Sequence, residues 1–176
     1  MPVDVAAATG ADVPELADVA ARTFPLACPP SVTPANVAAF IAENLSADRF
    51  RDYLDDPDRA VLVARADGRI IGYAMLIRGV SGDEDIQRAV TVRPSAELSK
   101  IYVLADHHGD GAATALMDAA LRRAKEFDAA SVWLGVNQKN QRAQRFYAKH
   151  GFTVCGTRSF RLGDACESDY VMSRPL

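Results

Sequence analysis

Cysteine is scarce in this chain: Cys28, Cys155 and Cys166 are the only three in 176 residues. An odd, widely spaced set with no C-x-x-C pair argues against a disulfide framework and suits a reducing compartment. Long hydrophobic runs are missing as well. No stretch is long enough to span a bilayer, and the segment around Asp4 has no basic region leading into an apolar run. The expectation is a cytoplasmic protein with no signal peptide and no membrane partner. Positive charge is not in excess either. Lys and Arg number 20 against 23 Asp and Glu, a net charge of −3, which gives no reason to expect nucleic acid or an anionic membrane. Internal repeats and low-complexity linkers are also lacking. What remains is ordinary for a globular protein, 49% hydrophobic and 24% charged. The length suits a single domain, residues 1–176, with a sizeable core.

The most informative stretch runs over residues 96–117. Residues 98–104, rich in β-branched and aromatic side chains, predict a strand. A turn with Gly109 and Gly111 follows, and these can take backbone angles closed to other residues. From residue 112 to 127 the apolar positions Leu116, Ala120, Ala124 and Phe127 keep the helical period. A glycine turn feeding a helix start offers unpaired backbone N–H groups and the positive end of the helix dipole to one spot, which suits a phosphate or pyrophosphate. The Walker pattern is absent, because no Lys-Ser or Lys-Thr pair follows the second glycine. The dinucleotide fingerprint fails on both its glycine offsets and its acidic residue.

Around this stretch the chain predicts a strand at residues 3–7, then a helix capped by Asp12 with Leu16, Val19, Ala20 and Phe24 as its buried stripe. Pro25, Pro29 and Pro30 are expected to stop that helix. Thr33-Pro34 opens a second, with Val37, Phe40, Ile41 and Leu45 on its apolar face, and Ser46 starts a short third one reaching about Tyr53. Asp67-Gly68 between two apolar runs, residues 60–66 and 69–77, predicts a hairpin. Residues 79–93 are polar and acidic at first, with room for a short strand before Pro94. The apolar run 132–136 predicts a buried strand. Asn140 then suits a helix N-cap and Gly151 its end. Residues 152–160 and 169–172 read as two closing strands around a turn at Gly163-Asp164.

Two motifs carry a family resemblance. The hexapeptide from His108 through Gly109, Asp110, Gly111 and Ala112 to Ala113 is similar to the Arg/Gln-x-x-Gly-x-Gly/Ala signature of the GNAT-type N-acetyltransferases. Asn140, Ala143, Phe146, Tyr147, Gly151 and Phe152 match that family's later motif, in the same order and about one strand and one helix further on. The element order agrees over nearly the whole chain. The resemblance implies an α/β (α+β) fold: a mixed, mostly antiparallel sheet of six to seven strands flanked by about four helices and splayed between its central strands. Acetyl-CoA would sit in the gap, and an amine substrate would enter from the side of the first helices.

The same resemblance implies roles for particular residues. Backbone groups of Ile101, Tyr102 and Val103 would pair with the acetyl and pantetheine portions, one N–H facing the developing oxyanion; the plain alternative is that Ile101 and Val103 are core residues. Amides of His108, Gly109, Asp110, Gly111, Ala112 and Ala113 would hold the pyrophosphate. His108 and Asp110 depart from the family's usual residues and weaken the attraction for phosphate. Tyr147 would stand beside the thioester sulfur. A phenol with a pKa of about 10 is a poor full acid for a thiolate near 8.5, so it would act as a hydrogen-bond donor; a merely packed tyrosine is the alternative. Glu97 stands where relatives place a general base and, by simple alternation, shares a face with Ser99, Ile101 and Val103; a solvated glutamate, with water as the base, competes. Asn140 would bond pantetheine or cap its helix. Arg142, Arg145 and Lys149 would reach the ribose phosphate of CoA or line a solvated face. His107 and His108 beside Asp106 do not assemble a closed ligand set, so no metal is expected.

The acceptor is less defined. Glu43, Asp48, Asp52, Asp55, Asp56 and Asp58, with Asp83, Glu84 and Asp85, would favour a cationic acceptor if they lined the entrance. Residues 97–103, 133–136 and 160–164 are similar to spermidine/spermine acetyltransferases of the bacterial PaiA type. A polyamine therefore stands beside a peptide or protein N-terminus and a small amine drug or metabolite. Outside the class, the rival is a CoA-binding sensor without turnover. Dimers are common among similar proteins, so a homodimer is compatible.

Overall fold

The computed structural model describes residues 2–163 and 165–176. Strand β1 (Asp4–Ala7) is followed by helices α1 (Val13–Ala27), α2 (Pro34–Asn44) and α3 (Ala47–Asp55). Strands β2 (Arg59–Ala66) and β3 (Arg69–Arg78) then precede α4 (Glu84–Ala89), β4 (Ser95–Val103) and α5 (Ala112–Glu126). The chain closes with β5 (Ser131–Asn137), α6 (Gln141–Lys149), β6 (Thr153–Leu162) and β7 (Ala165–Pro175). One sheet of seven strands runs in the order β1-β2-β3-β4-β5-β7-β6. All its neighbours are antiparallel except β4 and β5.

Local chemistry accounts for most of these boundaries. Asp67 and Gly68 both take positive φ, 52° and 77°, the turn geometry that matches the twist of a hairpin. Thr33 and Ser46 each accept a bond from the third residue of their helices, Asn36 and Arg49, so those first turns are capped as their sequences imply. The buried stripe of α1 is as predicted, with Leu16, Val19, Ala20 and Phe24 all buried. Three expectations need correction. Asp12 stands at the start of α1 but makes no capping bond to it; its carboxylate accepts from Thr9 N at 2.9 Å instead. Pro25 lies inside α1, whose last turn runs on to Ala27; the proline forfeits one intrahelical bond, to the Ala21 carbonyl, and the helix ends just beyond it. Residues 84–89 form α4 where a short strand had room, capped by Asp83 and tied by Arg88 to Asp85 at 2.7 Å. With only Ile86 buried, α4 shows no apolar period. The expected turn at Gly163-Asp164 falls partly outside the described residues.

The sheet is covered on both faces. On one, α5 lays Leu116, Met117 and Ala120 against Leu62, Ala74, Leu98 and Val132. On the other, α1 and α3 pack Leu16, Phe24 and Phe50 against Val61, Val63, Tyr73 and Met75. A smaller cluster of Ile86, Val90, Trp133 and Val171 lies under α4. None of the described helices is long and apolar enough to cross a membrane.

The feature that positions the site is the short pairing of β4 with β5. Their register covers only Ser95–Ser131, Ala96–Val132 and Glu97–Trp133. Beyond that point β4 stays with β3 as far as Val103, and β5 stays with β7 as far as Asn137. Two buried serines fasten the closed end. The Ser131 hydroxyl lies 2.6 Å from the Val92 carbonyl and 2.8 Å from the Ser95 hydroxyl, which in turn lies 3.2 Å from the Ser131 carbonyl. Replacing Ser131 by alanine would strip these partners in a place water cannot easily reach. Ser131→Ala is therefore expected to cost about 1–3 kcal/mol of stability in urea unfolding, and an unchanged midpoint would contradict this view of the junction.

Candidate active site

Where β4 and β5 separate, a cleft of about 480 Å³ opens between them and under α1 and α2. Glu97, Ile101, Tyr102 and Val103 line it from β4, and Asn140 and Tyr147 from the start and middle of α6. His108 and Ala113 reach it from the following loop and helix. Beyond Glu97, the edge of β4 turned away from β3 has no strand partner. An extended ligand can add to that edge through main-chain hydrogen bonds.

At the far end of β4 the chain makes a short 3-10 turn over Ala105–His107 and then enters α5. Gly109 and Gly111 take φ of 92° and 85°, the left-handed region that favours glycine. Gly111 is the N-cap of α5, so no side chain covers the first-turn amides of that helix. These N–H groups and the helix dipole make an anion cradle at the cleft's mouth. Asp110 turns its carboxylate to His107 at 2.9 Å. His108 lies 2.8 Å by Nε2 from the Val103 carbonyl and 2.8 Å by Nδ1 from Arg142 Nη1. Because a guanidinium can only donate, Nδ1 must accept and Nε2 must carry the proton. His108 is thus a neutral link between the end of β4 and α6. The loop lacks a cation of its own, and Arg142 brings one to it. Arg145 and Lys149 are exposed and lie outside the cleft lining. Among the described residues no group of three or more His, Cys, Asp or Glu is gathered for a metal.

The structure corrects the face assigned to Glu97. Met75 pairs with Lys100 and Leu76 with Leu98, so Ser99 is an extra residue, a β-bulge. One added residue reverses the alternation that follows it. Ile101 and Val103 therefore pack toward α5 with Leu98, whereas Tyr102 packs toward α1 and α2. Glu97 shares its face with Lys100 and Tyr102 and looks into the α1–α2 side of the cleft. Burial raises its pKa above the usual carboxylate range, an effect that Lys100, Arg158 and Arg59 oppose. Burial lowers that of Lys100, with Glu97 pulling the other way.

Tyr147 and Tyr102 belong to the same recess. Burial pushes both phenols well above their ordinary value, and for Tyr102 the proximity of Tyr147 adds to the rise. Among the described residues no hydrogen bond to the Tyr147 hydroxyl is made, and it is not a sealed orphan like that of Tyr73. It is therefore open to a ligand. Asn140 caps α6 through Oδ1, accepting from Ala143 N at 3.2 Å, and this leaves its NH₂ group for the cleft. One side chain can thus cap and bind through different atoms.

Several contributors have no motif that announces them. Lys100 is on β4, Arg158 on β6, and Asp169 and Glu167 on β7, and all four line the cleft. Arg158 and Asp169 form an ion pair at 3.3 Å, and a Cβ on Gly135 would overlap the Arg158 guanidinium. The available signal was charged residues within otherwise apolar strands. Gln144 donates to the carbonyls of Asn137 and Gln138 and so pins α6 to β5. The acidic stretch over residues 43–58 does not line the cleft. Asp48 pairs with Arg51, Asp52 with Arg49, Asp56 with Arg59 and Asp58 with Arg78. Asp83 and Asp85 are used in α4.

Comparison with known proteins points the same way as the geometry. The model of the Acetyltransferase (GNAT) family matches residues 21–152. An uncharacterized N-acetyltransferase of Mycobacterium tuberculosis is 60% identical over 165 residues, covering 94% of this chain and 98% of that one. The N-alpha-acetyltransferase of Sulfurisphaera tokodaii is 30% identical over 137 residues, covering 77% and 81%. Among solved structures, the PaiA N-acetyltransferase of Thermoplasma acidophilum in complex with coenzyme A aligns over 100% of both chains with a TM-score of 0.79. At 20% identity, that likeness is one of fold.

The His108–Arg142 link generates a prediction. Arg142→Gln is expected to weaken acetyl-CoA binding about three- to tenfold by calorimetry, the range for an exposed charge-assisted contact. An unchanged dissociation constant would show that the guanidinium serves only the loop.

Proposed function

Because the chain belongs to the GNAT acetyltransferase family, and so is an acetyl-CoA-dependent N-acetyltransferase, we propose that it transfers the acetyl group by direct attack of a primary amine within a ternary complex held in the β4–β5 cleft. One observation carries this reading: β4 loses its partner strand beyond Glu97, and the open recess that results contains the Tyr147 hydroxyl with no protein partner among the described residues. Acetyl-CoA brings an acyl group already activated as a thioester. The chain has only to align two reactants, free the amine of its proton and steady the charges that form. Alignment alone can supply about 7–11 kcal/mol.

The free edge of β4 at Ile101, Tyr102 and Val103 suits the pantetheine arm, and a main-chain N–H there suits the oxyanion. The amides of Gly109, Gly111, Ala112 and Ala113 suit the diphosphate, whereas those of His108 and Asp110, expected to join them, already donate to the Ala105 and His107 carbonyls at 3.2 Å each; Arg142 is close by and the Asn140 NH₂ lies further along the cleft. Glu97 is the group to take the amine's proton, directly or through water. Its raised pKa makes it a stronger base than a solvated carboxylate. Tyr147 donates a hydrogen bond to the departing sulfur. Burial raises its pKa further, so it keeps its own proton and stabilises the thiolate as a donor. Both ends of the chain supply walls, α1 at one end and β6 and β7 at the other, and this supports reading residues 1–176 as one catalytic domain.

Three acceptor classes remain in view. A peptide N-terminus is supported by the likeness to the S. tokodaii N-alpha-acetyltransferase. A polyamine has the likeness in fold to PaiA, but the carboxylates expected to attract it lie on α2, α3, α4 and the turns beside them and do not line the cleft. A small amine metabolite or drug suits the confined recess between sheet and helices.

Release of the CoA thiol, followed with a panel of spermidine, aminoglycosides and short peptides, tests the activity. Acceptor-dependent release is expected with at least one class, and acetyl-CoA binding with no release from any would contradict the proposal. Tyr147→Phe is expected to lower kcat about 10- to 100-fold with little change in CoA affinity; an unaffected rate would remove Tyr147 from the mechanism. Since the base works only when ionised, activity should be present above the pKa of Glu97 and be lost as pH falls through it. That acid limb should lie above the ordinary value of 4.5. Glu97→Gln should abolish the limb and cost about 100-fold or more; a limb that survives the substitution belongs to another group.

A further inference from the structure

The face of the sheet turned toward α1 and α2 carries both signs of charge. Glu97 and Lys100 come from β4, Arg158 from β6 and Asp169 from β7, and Gly135 leaves room between them. Above them lies an apolar roof in which the rings of Phe24 and Phe40 stack at 4.4 Å and 7°. Arg158 and Asp169 are committed to each other at 3.3 Å, with the guanidinium 5.9 Å from the Trp133 ring. Lys100 is different. Its Nζ donates only to the carbonyl and hydroxyl of Ser99, both at 3.2 Å, and stands 5.9 Å from the Phe40 ring. Among the described residues it forms no ion pair. Glu97 attracts it without making a salt bridge; an ammonium with little water and no paired carboxylate is costly, and this one lines the space the acceptor would fill.

We propose that the acceptor is a small zwitterion, an amine with a carboxylate beside it and an apolar side chain, as in an apolar α-amino acid, and that Lys100 is the specificity residue that receives the carboxylate. The proposal rests on reading the cleft as the site of acetyl transfer. Glu97 and Lys100 share a face and lie no more than about 10 Å apart along the strand, so one small molecule can set its amine by the former and its anion by the latter. The stacked phenylalanines, with Leu26 and Val32 beside them, suit an aliphatic or aromatic side chain. A polyamine would have to bring an extra positive charge against Lys100, a like-charge juxtaposition that costs binding, and the carboxylates of Asp169 and Glu167 that also line the cleft already answer Arg158 and Lys139. A peptide N-terminus has no anion next to its amine and would leave Lys100 unanswered.

The test compares matched acceptors on the unaltered protein by thiol release: leucine, leucinamide, isoamylamine, a leucyl-glycine dipeptide and spermidine. Leucine is expected to exceed leucinamide and isoamylamine in kcat/KM by about tenfold or more, the scale of one charge-assisted contact. Lys100→Met is expected to bring leucine and leucinamide within about threefold of each other, and Lys100→Arg to restore much of the preference. Turnover of the amide, the simple amine, the dipeptide or spermidine equal to or above that of leucine overturns the proposal and leaves acetyl transfer standing. A leucine preference that survives Lys100→Met in a folded protein removes Lys100 from its role. Acetyl-CoA binding with no turnover of any acceptor overturns both readings.

Discussion

The rest of the structure depends on the brief parallel contact between β4 and β5. Three residue pairs join them, fastened by the buried Ser95–Ser131 contact, and then each strand follows a different partner. Backbone groups in a protein interior are almost always paired, so an edge left open in the middle of a sheet is a demand for a ligand. The open side of β4 beyond Glu97 is such an edge. Everything chemical in the chain stands within reach of it: the glycine turn and α5 at its mouth, α6 along one wall, α1 and α2 above.

Electrostatics follows from the same opening. A cleft cut into the sheet puts ionisable groups where water is limited, so burial is the leading cause of every shift resolved there. The result is a division of labour by environment. Burial raises Glu97 and Tyr147 and lowers Lys100, with Glu97 and Lys100 each opposing the other's shift; in the proposed reaction these become base, hydrogen-bond donor and anion receiver. Arg158 and Asp169 are satisfied by each other and so hold the floor of the recess. The bulge at Ser99 is what places Glu97, Lys100 and Tyr102 together on the α1–α2 side while Ile101 and Val103 stay in the core.

Most of the fold was legible because it is written in local chemistry: Asp67-Gly68 for the hairpin, Thr33 and Ser46 for helix starts, the apolar steps of α5 for its buried face. The glycine turn into α5 and the capped start of α6 were legible for the same reason, since Gly109, Gly111, Asn140 and Tyr147 lie in two short motifs. What escaped depends on register and on distance along the chain. A bulge adds one residue without any residue type that announces it, so simple alternation gave Glu97 the wrong neighbours. Helix α4 has too few turns to show a period. The contact of His108 with Arg142 spans 34 residues, and Arg158 meets Asp169 only because β6 and β7 pair. The acidic stretch misled in the opposite sense. Its carboxylates look like an attractant in sequence, yet on α3 and in the turn after it several of them answer nearby arginines.

The central claim is that the separated ends of β4 and β5 hold acetyl-CoA. The most direct measurement is a crystal structure of the complex. The account places the diphosphate against the amides of Gly109, Gly111, Ala112 and Ala113, the pantetheine arm along the free edge of β4, and the sulfur within about 3–4 Å of the Tyr147 hydroxyl. A cofactor bound elsewhere on the protein, or one whose sulfur lies on the far side of β4 from Tyr147, would contradict it.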